Sequence, residues 1–346
     1  MKKFFTIFFV FAIIIITASL AVFSFYQKTV RAPGPNQKDK QFKIEVGQTV
    51  AQISQNLYQA GLINSKLFFQ AFVWSHNLES RLQAGEYQIP AQASIKQLTE
   101  ILAQGKVINK EVTIKIIEGW RLTQIADYLE KKGLVKAKDF LAVCGVGQGN
   151  VVDPEFVKNF SFLADKPEQA SLEGYLFPDT YRVYKDAGAK DIVFKMLANF
   201  SQKVDGDLLA AIKEQGKSLY EVIILASIVE KEVRSADDMK IVAGIFQKRL
   251  KSGQPLQSCA TLAYILGVNK PQYSLADTKT PSPYNTYLHP GLPPGPICNP
   301  SLQAIKAVVW PAKTEYNYFL TNPADGSTVF SRTYQEHLKN KAKYLR

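Results

Sequence analysis

The chain has 346 residues, 46% of them hydrophobic and 12% aromatic, which is material for two or three domains with cores of their own. Its net charge is +12, but Lys and Arg are scattered, so anionic lipid or an anionic polymer suits it as well as nucleic acid. Zinc-finger, P-loop and RNA-binding signatures are missing, and the three His and three Cys lie far apart, so neither a metal site nor nucleic acid is expected.

Met1, Lys2 and Lys3 precede an uncharged run from Phe4 to Phe25. As a helix it would measure about 33 Å, enough to cross a bilayer. Ser19 and Ala21 offer a signal-peptide cleavage pattern, but the run is long for a cleaved segment, which favours a retained anchor. Lys2 and Lys3 favour a cytoplasmic N-terminus against Lys28 and Arg31 beyond the span. With the N-terminus inside, the remainder is exported. The polar, Pro- and Gly-containing stretch that follows reads as a linker.

An internal repeat comes next. KIEVGQTVAQISQNLYQAGLI from Lys43 aligns without gaps on KIIEGWRLTQIADYLEKKGLV from Lys115, matching Gly47 with Gly119 and Gly61 with Gly133. Each copy reads as strand, glycine turn and helix closed by glycine. A Gly-aromatic strand is expected after each, at Gly85-Glu86-Tyr87 and at Gly174-Tyr175. The duplication carries a structural reading as well as a functional one. In Ser171 to Tyr181 (SLEGYLFPDTY), Glu173 and Asp179 fit a structured loop on a cleft wall, or a tight turn whose aromatics fill core.

The sequence turns on Ser218 to Arg234, SLYEVIILASIVEKEVR. Ser218 and Glu221 have capping-box spacing, and Val222 to Val229 is apolar on nearly every side apart from Ser227, the mark of a buried helix. Glu230 ends the run. A carboxyl between dry protein and solvent has a raised pKa and can serve as a general acid. The plainer alternative is a surface ion pair with Arg234, four residues on.

Ser235 and Asp238 cap a further helix ending near Gly253. The loop Ser282 to Ser301 is stiffened by Pro, and Tyr284, Asn285, Thr286 and Tyr287 set flat faces beside hydrogen-bonding groups, a mixture suited to sugars or to a rigid surface loop. Tyr316 to Leu320 reads as a strand, with a basic helix carrying His337 at the end.

Taken together, ILASIVEKEV from Ile224, LEGYLFPDTY from Leu172, PYNTYLHPGLPPGPI from Pro283 and KAVVWPAKTEYNYFL from Lys306 resemble the YceG-like family of endolytic murein transglycosylases, in order and over nearly the whole chain. The expected organisation is an α+β protein: cytoplasmic tip and transmembrane anchor at 1–27, linker at 28–41, a small strand–helix module at 42–108 whose first repeat copy, with the helix near Ser94 to Leu102, resembles LysM-like peptidoglycan-associated modules, and a mixed α/β catalytic domain at 109–346. The family resemblance implies cleavage of the MurNAc–GlcNAc bond of peptidoglycan without water, to a 1,6-anhydro end, with Glu230 as the single catalytic carboxyl. Glu173, Tyr181, Ser227, Gln257, Thr261, Tyr284, Asn285, Thr286 and Tyr287 are the candidate substrate-binding residues. No cofactor is expected. The implied partners are glycan strands, the cytoplasmic membrane and peptidoglycan synthases, and the implied location is the inner membrane with the catalytic domain outside the cytoplasm.

The chain departs from the family pattern at two places. Cys259-Ala260 stands where Asp-Pro is common after LQ[ST], and Cys298 where Ala is common. In an oxidising compartment the two thiols are expected to pair, leaving Cys144 free. Two rival functions remain at this point: a membrane-anchored peptidoglycan-binding scaffold without activity, and a lyase of small-molecule metabolism, for which no cofactor fingerprint appears.

Overall fold

The computed structural model describes residues 2–105, 111–147, 149, 151–270 and 272–345. The chain divides into two units, Met1–Lys110 and Glu111–Arg346. The boundary expected at 108/109 lies outside the described residues.

The first unit opens with α1 (Lys2–Arg31), a 30-residue helix whose segment Ile13–Arg31 is long and apolar enough to cross a membrane. Strand β1 (Lys40–Ile44) leads to α2 (Val50–Gln59), which begins with a Thr49–Gln52 capping box. Helix α3 (Lys66–Ser75), strand β2 (Gly85–Ile89) and α4 (Ile95–Ala103) complete it, with β1 and β2 paired antiparallel. The core holds Ile53, Leu57, Phe69, Tyr87 and Leu98. The stretch read as a linker is held in place instead. Helix α1 runs through Arg31, the Gly34 amide donates to the Gln92 carbonyl at 3.0 Å, and the buried Asn36 side chain donates to the Pro90 carbonyl at 2.7 Å. Those two bonds satisfy polar groups that a free linker would leave to water.

The second unit begins with β3 (Glu111–Lys115), α5 (Leu122–Lys131), α6 (Ala137–Val143) and α7 (Pro154–Asn159). The two repeat copies fold alike. Gly47 and Gly119 have φ of +85° and +74°, and Gly61 and Gly133 have +63° and +70°, so each pair occupies a left-handed turn that favours glycine. The expectation of a second Gly-aromatic strand is corrected. β3 pairs antiparallel with β4 (Thr180–Tyr184), whereas Gly174 and Tyr175 lie in a turn, because the Asn299 side-chain oxygen takes the Gly174 and Leu176 amides that a ladder would need.

Helices α8 (Ala189–Lys203) and α9 (Gly206–Glu214) precede α10 (Leu219–Glu232), which starts with the expected Ser218–Glu221 capping box and buries every residue from Leu219 to Val229 except Glu221. Helix α11 (Ala236–Lys251), capped by Ser235, and α12 (Cys259–Leu266) follow. A long Pro-rich loop leads to α13 (Leu302–Val309), N-capped by Ser301. Helix α13 packs on α10 and α11. An antiparallel pair, β5 (Tyr318–Thr321) and β6 (Thr328–Ser331), and α14 (Tyr334–Tyr344) end the chain.

Candidate active site

Helix α10 stops because Val233 turns extended, with φ −143° and ψ 160°. Arg234 is therefore off the helix, and it makes no ion pair with Glu230 among the described residues. Instead, the Glu230 carboxylate accepts the Ser301 amide at 3.0 Å and the Ser301 hydroxyl at 2.6 Å. Burial pushes its pKa up, and exposed Glu118 adds to that. The Ser301 donors and Lys231 pull the other way without cancelling it.

Two residues on, Glu232 faces a different environment, as the helical turn requires. It accepts the Ser258 hydroxyl and, at 3.3 Å, the Ala260 amide at the start of α12. Burial raises its pKa too, opposed by Ser258, Ala260 and the Arg249 guanidinium. Four predicted residues gather on this side. The Thr261 and Thr286 hydroxyls lie 2.9 Å apart, Thr286 accepts the Ser258 amide at 3.1 Å, and the Gln257 amide donates to the Thr286 carbonyl at 3.0 Å. Tyr287 meets the Cys259 thiol at 3.2 Å. Asn285 is buried and holds the loop, donating to the Thr278 and Thr280 carbonyls and accepting the Tyr287 amide. Thr261, Asn285 and Thr286 are thus framework beneath the loop, while Gln257 is exposed.

Glu173 and Tyr284 line a separate cleft of about 760 Å³, together with Arg121, Tyr220 and Tyr264. Glu173 is only 8% exposed. Its two oxygens accept the Leu122 amide at 3.1 and 3.2 Å, and Asn299 donates to one of them at 3.0 Å. Burial outweighs these bonds and the Arg121 charge, and its pKa rises to about 8. The strand Ile297 to Ser301 links the carboxyls: the Ile297 amide binds Ser227, Asn299 binds Glu173 and Ser301 binds Glu230.

Two expected binding residues are interior. The Ser227 hydroxyl is fully buried, donating to the Ile224 carbonyl at 2.7 Å and accepting the Ile297 amide at 3.0 Å. Tyr181 is buried, donates to the Phe177 carbonyl and accepts from Asn199. Both hydroxyls are spent on holding elements together. The expected disulfide is not formed either: all three cysteines are free. Cys298 is buried with its thiol on the Ser227 carbonyl at 3.3 Å, while Cys259 lies exposed against Tyr287, so the two thiols belong to different networks. Among the described residues, no group of three His, Cys, Asp or Glu could hold a metal ion.

Sequence reasoning missed Arg121, Tyr220, Tyr264, Asn299 and Ser301. Ser301 alone had a local signal, a capping serine ahead of an apolar run.

A buried helix ends in two carboxyls of raised pKa on a mixed helix-and-sheet body, an arrangement chemically suited to moving protons. The chain belongs to the YceG-like family, whose model matches residues 42–343. It is 31% identical to an endolytic murein transglycosylase of Bacillus subtilis, over 90% of this chain and 87% of the relative. It is 30% identical to an endolytic murein transglycosylase of Streptococcus pneumoniae, over 87% of this chain but 58% of that longer protein. A crystal structure of a YceG-like protein from Listeria monocytogenes superposes with a TM-score of 0.59 at 31% identity, covering 88% of this chain and all of that one.

Proposed function

We propose that this protein is a lytic murein transglycosylase, anchored by α1, whose acid–base group stands at the C-terminal end of α10. The observation that carries the reading is the buried helix delivering carboxyls of raised pKa in a family whose curated relatives bear that name. Glu230 is the residue we assign. Burial pushes its pKa up, its two Ser301 donors steady it once it is ionised, and among the described residues no cation forms an ion pair with it. As an acid it protonates the leaving glycosidic oxygen. As a base it then takes the proton of the sugar's own 6-hydroxyl, whose oxygen closes on C1 to leave an anhydro end. One carboxyl serves both steps, so no second carboxylate across the sugar is needed.

Glu232 is the second reading, and a specific observation favours it. The sequence-nominated loop residues Gln257, Thr261, Thr286 and Tyr287 collect around Glu232 and its partner Ser258, not around Glu230. The test is to give purified glycan strands to wild type, Glu230→Gln and Glu232→Gln and to identify the ends by mass. Glutamine keeps the shape but cannot relay the proton, so the variant of the true acid–base should lose activity by orders of magnitude. Full activity in both variants would remove the α10 assignment. A water-added reducing end from wild type would make the enzyme a hydrolase.

A further inference from the structure

Helix α10 lends the cleft Tyr220 near its start and carries the α10 carboxyls at its end. Tyr220, on the cleft wall, precedes Glu230 by ten residues, about 15 Å of helix rise. The opposite wall of the cleft reaches back toward Glu230, because Asn299 on Glu173 and Ser301 on Glu230 are two residues apart, and the cleft's construction is specific. At Gly295, an added Cβ would lie 2.9 Å from the Tyr284 hydroxyl and 3.0 Å from the Tyr220 hydroxyl, so the two phenols converge where only glycine leaves room. The Tyr264 and Tyr284 rings pack 4.9 Å apart, and the Arg121 guanidinium lies over Tyr264 at 4.7 Å.

Charge decides what such a cleft prefers. Arg121 has five N–H donors, of which one goes to the Tyr264 carbonyl at 3.3 Å, and it forms no ion pair among the described residues. It sits at the N-terminal end of α5, where the helix dipole adds positive potential. Among the described residues the one carboxyl lining the cleft is Glu173, whose pKa near 8 keeps it protonated at neutral pH. Other titratable groups close enough to act on Glu173 or be acted on by it are Arg121, the Tyr264 and Tyr284 phenols and the buried thiols of Cys144 and Cys298, of which only Arg121 is charged at neutral pH. A cavity of this volume, aromatic on its walls and net positive at one end, fits an anion attached to an apolar or sugar-like body.

We propose that the Arg121–Tyr264–Tyr284 cleft binds the free carboxylate of a murein peptide, with the guanidinium on the carboxylate and the tyrosine rings against the peptide or sugar body. The inference rests on the murein reading and adds a second point of attachment to it. Such a site would hold a peptide-bearing strand while the α10 carboxyl works on its glycan.

The probe is N-acetylmuramyl dipeptide, compared with the same molecule carrying a carboxamide in place of the free carboxyl. Neither has the glycosidic bond that is cut, so calorimetry on the full detergent-solubilised chain reads binding alone. The acid should bind about tenfold more tightly than the amide. Arg121→Gln should abolish that difference, and Arg121→Lys, which keeps the charge but loses the planar fork, should retain part of it. Thermal melts check that both variants are folded. Equal binding of acid and amide to wild type, or a preference that survives in Arg121→Gln, overturns the proposal. If neither compound binds while glycan strands are still converted to anhydro ends, this site is wrong and the murein reading stands. Failure of both experiments would remove both.

Discussion

Glu173 is the residue at which burial most clearly overrides the ordinary behaviour of a side chain. It keeps its proton to about pH 8 in the folded protein, against a usual carboxyl value of 4.5. Between those values the folded state binds more protons than the unfolded state, so stability falls as pH rises. The favourable contribution is complete below about pH 4.5, shrinks across the window and is gone above about pH 8. The slope approaches about 1.4 kcal/mol per pH unit for a single group. Glu173→Gln retains an oxygen to accept the Leu122 and Asn299 donors and has no proton to lose. Denaturation midpoints measured from pH 5 to 9 should therefore fall less steeply in the variant than in wild type. Parallel curves would show that Glu173 does not titrate in this window.

Among the elements, α10 and the turn that crosses it leave little room for change. Gly174 has φ +89°, and a Cβ there would meet Ile223 of α10 at 2.5 Å and Pro296 at 2.8 Å. Gly174→Ala thus combines a left-handed backbone with overpacking against a buried helix, and should cost more than ~2 kcal/mol. The same change at Gly133, which has φ +70° but no atom within 4 Å of its Cβ, brings only the backbone penalty, about 1 kcal/mol. Comparing the two unfolding midpoints separates contact from conformation. Equal losses would mean that the Ile223 and Pro296 contacts relax freely.

At the scale of the whole molecule, the chain combines a 30-residue N-terminal helix in one unit with a second unit that carries the three carboxyls of raised pKa. The exposed side chains Ile13 to Ile16, Leu20, Val22, Phe23 and Phe25 leave an apolar surface on α1 that lipid would cover. If α1 is a retained anchor, the chain should sediment with membranes, resist extraction by high salt or alkaline carbonate, and dissolve in detergent. Release by salt would mean that the +12 charge, not the helix, holds the protein to the membrane. A mature N-terminus near Val22 would instead show a cleaved signal.

The local signals in the sequence were sufficient for much of this architecture. The Ser218–Glu221 box, the left-handed glycines of the two repeats and the unbroken apolar run of α10 each depend on atoms within a few residues of one another. Backbone sterics and helix-end hydrogen bonding decide such features before any tertiary contact forms. The site was legible only in part. Gln257, Thr261, Thr286 and Tyr287 do gather in one place, but the sequence attached them to Glu230, and the structure sets them against Glu232. Ser227 and Tyr181 looked like ligand contacts and are interior braces. The loop around Glu173 read as a cleft wall, but nothing local pointed to Arg121 or Asn299, because the cleft joins groups more than 50 residues apart and Asn299 reaches Glu173 across 126. Cys259 and Cys298 gave matching signals in sequence, yet their thiols bond to different partners. A side chain's type can be read from its own position. Which neighbours desolvate it, and which take its hydrogen bonds, depends on contacts between residues far apart in the chain, and only the tertiary structure decides those.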